Sequence, residues 1–241
     1  MIVSHVHRYV FVELPRTGST AIRQELRELY DGVPVLEKHA TYLDFLRQAT
    51  PAEREYFSFA AVRNPLDDAV SRYFKLRTDH KARYSGGGRK KRGHVLNRII
   101  DARMYRFIEG ADADFARFFR RFYVLPHDTW ASLSHAKLDY VMRFEHLAED
   151  FDTALRRMGI EPKRPLPIVN STGARRRSFE DYYTPDLYPR ARRVFGPYMQ
   201  RWGYQFPAAW GLAPPSTLHE AEYLLYSAAA KLYWRFLRPY A

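Results

Sequence analysis

The 241-residue sequence contains no cysteine, which excludes disulfides, thiolate chemistry and cysteine-ligated zinc. It also lacks a long hydrophobic run. The longest late apolar stretch, Tyr223 to Ala230, is far short of the ~20 residues that a membrane-spanning helix needs. The opening "MIVSHVHRYVFVEL" is broken by His5, His7 and Arg8, a poor pattern for a signal peptide. Acidic side chains are the minority, 27 against 39 lysines and arginines, for a formal net charge of +12. Polar low-complexity composition is absent as well: 46% of residues are hydrophobic and 16% aromatic, which argues against disorder over most of the length. These features predict one soluble, cytoplasmic domain, with a small appendage at most, large enough to bury a core. The excess positive charge points to acidic partners such as phosphate or sulfate esters, anionic glycans, nucleic acid or a membrane surface. A basic surface that only solubilises the protein is the alternative.

What is present is a repeated local plan. "YVFVEL" (9–14) reads as a buried strand, and after a polar turn Ile22, Leu26, Leu29 and Tyr30 recur at helical spacing. "VPVLE" (33–37) suggests a second strand that leads to Lys38-His39-Ala40-Thr41, and "PAEREY" (51–56) a short helix. "FSFAAV" (57–62) is another buried strand, followed at once by "RNPLDDAVSRYF". In that segment Asn64 can cap a helix, Pro65 suits its first turn, and Asp67 and Asp68 favour its positive end. Strand, turn and helix thus occur twice, which predicts an α/β fold with a parallel sheet. A glycine-rich basic stretch at 80–94 reads as a mobile loop, and helical pattern follows to about Tyr123. "DYVMRFEHLAEDFDTALRRMG" (139–159) gives a further strand and helix, with Leu147, Phe151, Leu155 and Met158 inward and Gly159 as terminator. A helix near Pro185 to Trp202, a linker "PAAWGLAPP" (207–215) and a last helix from about Ser216 complete the chain.

The turn "PRTGST" (15–20) between the first strand and its helix has the makings of an anion cradle. Helix N-termini carry free N–H groups and partial positive charge. Gly18 lets backbone approach a ligand, Thr17, Ser19 and Thr20 add hydroxyls, and Arg16 adds a permanent cation. It is not the familiar nucleotide loop, because one glycine stands alone and no lysine follows it. At the second junction Arg63 ends a strand, and Ser71 lies about two turns into the next helix, roughly 140° from Leu66 at 3.6 residues per turn and so away from the Leu66/Val70/Tyr73 stripe. One anion site per junction suits a ligand phosphorylated at both ends.

"PRTGSTAI" together with "FAAVRNPLDDAVSRY" resembles the two cofactor signatures of sulfotransferases that use 3′-phosphoadenosine 5′-phosphosulfate (PAPS). "EKHATY", "DYVMRFEHLAEDF" and the later "NST…DYYTPDLY…WGYQF" are similar to the branch that sulfates carbohydrates, in the same order over most of residues 8 to 206. The resemblance implies a P-loop-NTPase-like sulfotransferase fold, a central parallel sheet flanked by helices, over residues 1–207, with 208–241 a linker and C-terminal helix. It implies that Arg16, Thr17, Gly18, Ser19 and Thr20 hold the 5′-phosphosulfate and that Arg63 and Ser71 grip the 3′-phosphate. His39 would be the general base, and no metal is required. Two positions depart from the family pattern: Arg16 stands where lysine is usual, and Glu13 where histidine is common. Arg16 can stabilise charge on the leaving group without readily donating a proton. Glu13 is expected to pair with Arg16, to orient His39, or simply to be a satisfied strand-end carboxylate.

The implied activity is sulfuryl transfer to a hydroxyl of a carbohydrate or glycolipid. A nucleotide-kinase-like phosphoryl transferase and a non-catalytic binder of anionic polymers on the same fold are the alternatives. The acceptor is expected to be a small molecule or glycan, with lipid linkage open, and no nucleic acid is expected. Leu218, Leu225 and Leu232 repeat every seven residues, so residues 216–238 are expected to contact a second copy or a membrane surface peripherally, or else to dock onto their own domain. The cations of 83–92 are expected to steer an anionic or lipid-associated acceptor. Replacing Arg89, Lys90, Lys91 and Arg92 with serine should then raise the acceptor KM and flatten its salt dependence while donor affinity stays the same. An unchanged KM would make the stretch a solvated loop.

Overall fold

Alternation along the short strands sorts apolar side chains to two faces of one sheet. The computed structural model describes residues 1–79, 84, 95–127, 135–167, 177–212 and 216–236. The basic stretch 80–94 apart from Tyr84, most of "NSTGARRR", and the side chains of Tyr233, Trp234 and Phe236 lie outside the described residues. Contacts group the chain into two units, Met1–Asn64 with Asp128–Ser171 and Ser227–Ala241, and Pro65–His127 with Thr172–Tyr226.

The first unit holds the sheet. Strands β1 (Ile2–Ser4), β2 (Tyr9–Val12), β3 (Val33–Pro34), β4 (Phe57–Val62) and β5 (Tyr140–Arg143) lie in the order β3-β1-β2-β4-β5. The β2–β4 and β4–β5 pairs are parallel, with Val12 opposite Ala60 and Val62 opposite Arg143. β1 runs antiparallel to both β2 and β3. The α/β plan therefore stands, and the sheet is mixed. The first strand was not among those expected, and "VPVLE" supplies only a two-residue edge.

With a period of two, Ile2, Tyr9, Phe11, Phe59 and Ala61 share one core cluster with helices α1 (Ser19–Leu29) and α6 (Leu147–Arg157). Ala21, Ile22 and Leu26 come from α1, and Phe151, Ala154 and Leu155 from α6. Val3, Val10, Val12 and Ala60 share the other with Tyr42 and Phe45 of α2 (Tyr42–Gln48). Both faces are covered, as parallel pairing with crossover helices requires. α2 starts at a capping box, in which the Thr41 hydroxyl accepts from the Asp44 N–H and Asp44 accepts from the Thr41 N–H.

The second unit is helical. α3 (Pro65–Arg77), α4 (Val95–Gly110), α5 (Phe115–Phe122) and α7 (Tyr188–Arg201) surround an aromatic-rich core of Phe115, Phe118, Phe119, Tyr183, Phe195 and Trp210. The Tyr183 hydroxyl donates to the Leu66 carbonyl, 3.0 Å away, and fixes the first turn of α3. The last helix, α8 (Thr217–Phe236), counts with the second unit to Tyr226 and with the first from Ser227; along it Tyr223 and Ser227 are buried and Leu218, Leu225 and Leu232 exposed. Among the described residues no helix is long and apolar enough to cross a membrane.

His135 is buried in the first unit, and burial pushes its pKa down to about 3, against a backbone hydrogen bond with Ala61. The unfolded chain takes up this proton first as pH falls below 6.5, so stability is lost on acidification. At pH 5 the loss from this one group is about 2 kcal/mol. Urea denaturation at pH 7.5 and pH 5 should show it, and His135→Gln should reduce the difference; equal pH dependence in the two proteins would refute the assignment.

Candidate functional site

Three parallel strands end at one edge of the sheet, and the residue after each enters the site: Glu13 after β2, Arg63 after β4 and Phe144 after β5. This is the edge at which open α/β sheets bind ligands.

The loop from Glu13 to Gly18 is held from within. The Thr17 and Ser19 hydroxyls both donate to the Leu14 carbonyl, at 3.1 and 2.7 Å, and both side chains are buried. Each hydroxyl has one proton, so these two residues shape the loop and would offer an anion their backbone rather than a side-chain donor. Arg16 and Gly18 have left-handed φ values of 65° and 74°, a costly conformation for the arginine. Helical bonding begins with the Ala21 and Ile22 N–H groups on the Gly18 carbonyl. By helix geometry, the N–H groups of Ser19 and Thr20 stand outside the ladder. No acidic residue occupies the first turn of α1.

Gly18 does more than admit a ligand. A β-carbon at this position would overlap Leu147 Cδ2 and lie 3.5 Å from Phe144 Cδ2. The left-handed φ favours glycine here, and any larger residue would also displace the Leu147 methyl.

Two cations and a base reach this loop from elsewhere in the sequence. Arg63 donates from Nη1 to the Arg16 carbonyl at 3.0 Å, and its guanidinium carbon lies 4.1 Å from the centre of the Phe144 ring. Lys38, which the sequence reading passed over, donates from Nζ to the Thr20 hydroxyl at 3.3 Å. Beside it, His39 has a left-handed backbone (φ 73°) that brings its ring Nδ1 to 3.0 Å from the Glu13 carbonyl. A carbonyl only accepts, so Nδ1 carries the proton and Nε2 is left as the basic nitrogen. Burial lowers the His39 pKa below its usual 6.5, opposed by the bond to Glu13. The ring therefore stays neutral at and somewhat below neutral pH.

Glu13 orients His39 through its carbonyl. Its carboxylate points elsewhere: Oε2 accepts from the Met1 amine at 2.7 Å and from Arg23 at 2.6 Å, fully buried, and Oε1 has no hydrogen-bond partner among the described residues. Arg16 is not among these carboxylate partners. Ser71 belongs to the second unit and is 1% exposed. It lies off the Leu66/Val70/Tyr73 stripe and is buried all the same, because Pro65 to Val70 are buried all round the helix and not along a stripe alone. Phe144 and Glu145 also went unrecognised. Glu145 Oε1 accepts from the Asn64 N–H at 2.8 Å, at the start of the second junction.

Parallel strand ends, the N-terminus of α1, Lys38, Arg63 and His39 thus meet at one loop of an α/β protein. A model described as the sulfotransferase family matches residues 1–196, and the chain belongs to that family. Comparison with curated proteins and with solved structures finds no match.

Gly18→Ala should cost about 2–4 kcal/mol, from the left-handed φ and the overlap with Leu147. Urea denaturation measures it, and Leu147→Ala in the same chain should recover only the steric share. A Gly18→Ala protein of unchanged stability would contradict the packing described.

Proposed function

We propose that the protein transfers a sulfuryl group from PAPS to a hydroxyl of a carbohydrate or glycolipid acceptor. The observation that carries this reading is the convergence of His39, Lys38 and Arg63 on the single loop 13–20. A cationic, N–H-lined loop fits the doubly charged phosphosulfate end of this donor. The loop N–H groups, Arg16 and Lys38 would hold that end, and Arg63 the 3′-phosphate. Ser71 keeps the 3′-phosphate role that its motif implies.

His39 Nε2 takes the proton of the acceptor hydroxyl as the oxygen forms its bond to sulfur. The bond between sulfur and the bridging oxygen breaks, and the electron pair leaves with the 5′-phosphate. Loop N–H groups and Arg16 stabilise that charge where it develops. The Glu13 carbonyl keeps His39 in the tautomer the step needs and is well placed to steady the imidazolium that results.

His39→Ala should lower kcat by roughly 10²–10⁴ with product binding retained. The acid limb of kcat/KM for the wild type should lie below the usual histidine value, since the base must be neutral and burial lowers its pKa. Arg16→Ala should reduce both kcat and donor affinity, whereas Arg16→Lys should keep substantial activity. Isothermal titration with 3′,5′-bisphosphate product and with ATP–magnesium separates this reading from its rivals. Product binding alone supports the sulfotransferase; ATP–magnesium binding supports a phosphoryl transferase; neither supports a non-catalytic protein. A His39→Ala enzyme with normal kcat would remove His39 as the base.

A further inference from the structure

Three residues at the β5–α6 junction touch two segments of the site, the loop at Gly18 and the Arg63–Asn64 turn. Phe144 lies under the Arg63 guanidinium at 4.1 Å, Glu145 accepts the Asn64 N–H at 2.8 Å, and Leu147 packs where a Gly18 side chain would be. Arg63 in turn holds the Arg16 carbonyl at 3.0 Å. The 14–20 loop is thus closed in by Leu147 on one contact and Arg63 on another, and both are fixed by the same short segment.

We propose that Phe144 and Glu145 are positioning residues for donor binding: they set the plane of Arg63 and the course of the Arg63–Asn64 turn, so that the guanidinium edge meets an anion already oriented. The chemistry is specific. A guanidinium is planar and stacks on an aromatic ring through its face, which leaves the N–H groups on its edge directed outward in the ring's plane of contact. A flexible ammonium has no such plane. Glu145 acts by accepting a backbone N–H, a task an amide oxygen can also perform, though more weakly than a carboxylate. This inference rests on the reading of the site as a donor site, and it assigns the two residues no contact with the donor.

The test measures dissociation constants for the 3′,5′-bisphosphate by titration calorimetry on the full chain, with thermal stability followed in parallel. Phe144→Leu should weaken binding roughly 3- to 30-fold, and Phe144→Trp should restore it. Glu145→Gln should bind more tightly than Glu145→Ala, because the amide oxygen can still accept the same N–H. The decisive comparison is a double-mutant cycle. In an Arg63→Ala background, Phe144→Leu should have little further effect on affinity. Additive losses, or a Phe144→Leu protein with lowered stability and unchanged affinity, would overturn the inference and leave the donor site in place. Wild-type protein that fails to bind the bisphosphate would overturn the donor reading itself, and this inference with it.

Discussion

The parallel pairing of β2, β4 and β5 is the constraint on which the site depends. Parallel register carries successive strands to the same edge, so Glu13, Arg63 and Phe144, distant in sequence, emerge side by side. No antiparallel arrangement of these three strands would bring all three C-terminal ends together. The register itself is held by burial on both faces. A slip of one residue in β2 would exchange Tyr9 and Phe11 with Val10 and Val12 between differently shaped cores.

Within that frame, the loop is organised by contacts of the chain itself. Its two buried hydroxyls are committed to the Leu14 carbonyl, its glycine is fitted to α6, and the Arg16 carbonyl is held by Arg63. Left-handed backbone at Arg16 and His39 costs of order 1 kcal/mol each. Such strain persists where surrounding contacts over-determine the geometry. Preorganised donors of this kind need little rearrangement when charge develops beside them.

Much of this was legible locally. "FSFAAV" matches β4 residue for residue, and the turn before α1, the helix after Arg63 and the β5–α6 unit all follow from periodicity and caps. The Thr41–Asp44 capping box was also present in "TYLD" and would have revealed α2. What the sequence withheld depends on partners far along the chain. The antiparallel β1 is too short to show a pattern, and the buried pairing of the Glu13 carboxylate with the Met1 amine and Arg23 is a tertiary event. The burial of Ser71 was not legible because helical periodicity finds one buried face, whereas α3 is covered around its first two turns. The contacts of Phe144 with Arg63 and of Glu145 with Asn64 arise only when β5 is laid against β4.

The two-residue strand β3 has a consequence for assembly. It forms one margin of the sheet, and its second residue, Pro34, has no N–H to donate. An incoming strand would find there only a brief, donor-poor ladder. Short margins that contain proline resist edge-to-edge growth, so this side of the sheet is guarded against aggregation although Val33 is exposed. The turn that delivers the chain towards Lys38 and His39 thereby also keeps the sheet from being extended by a neighbour.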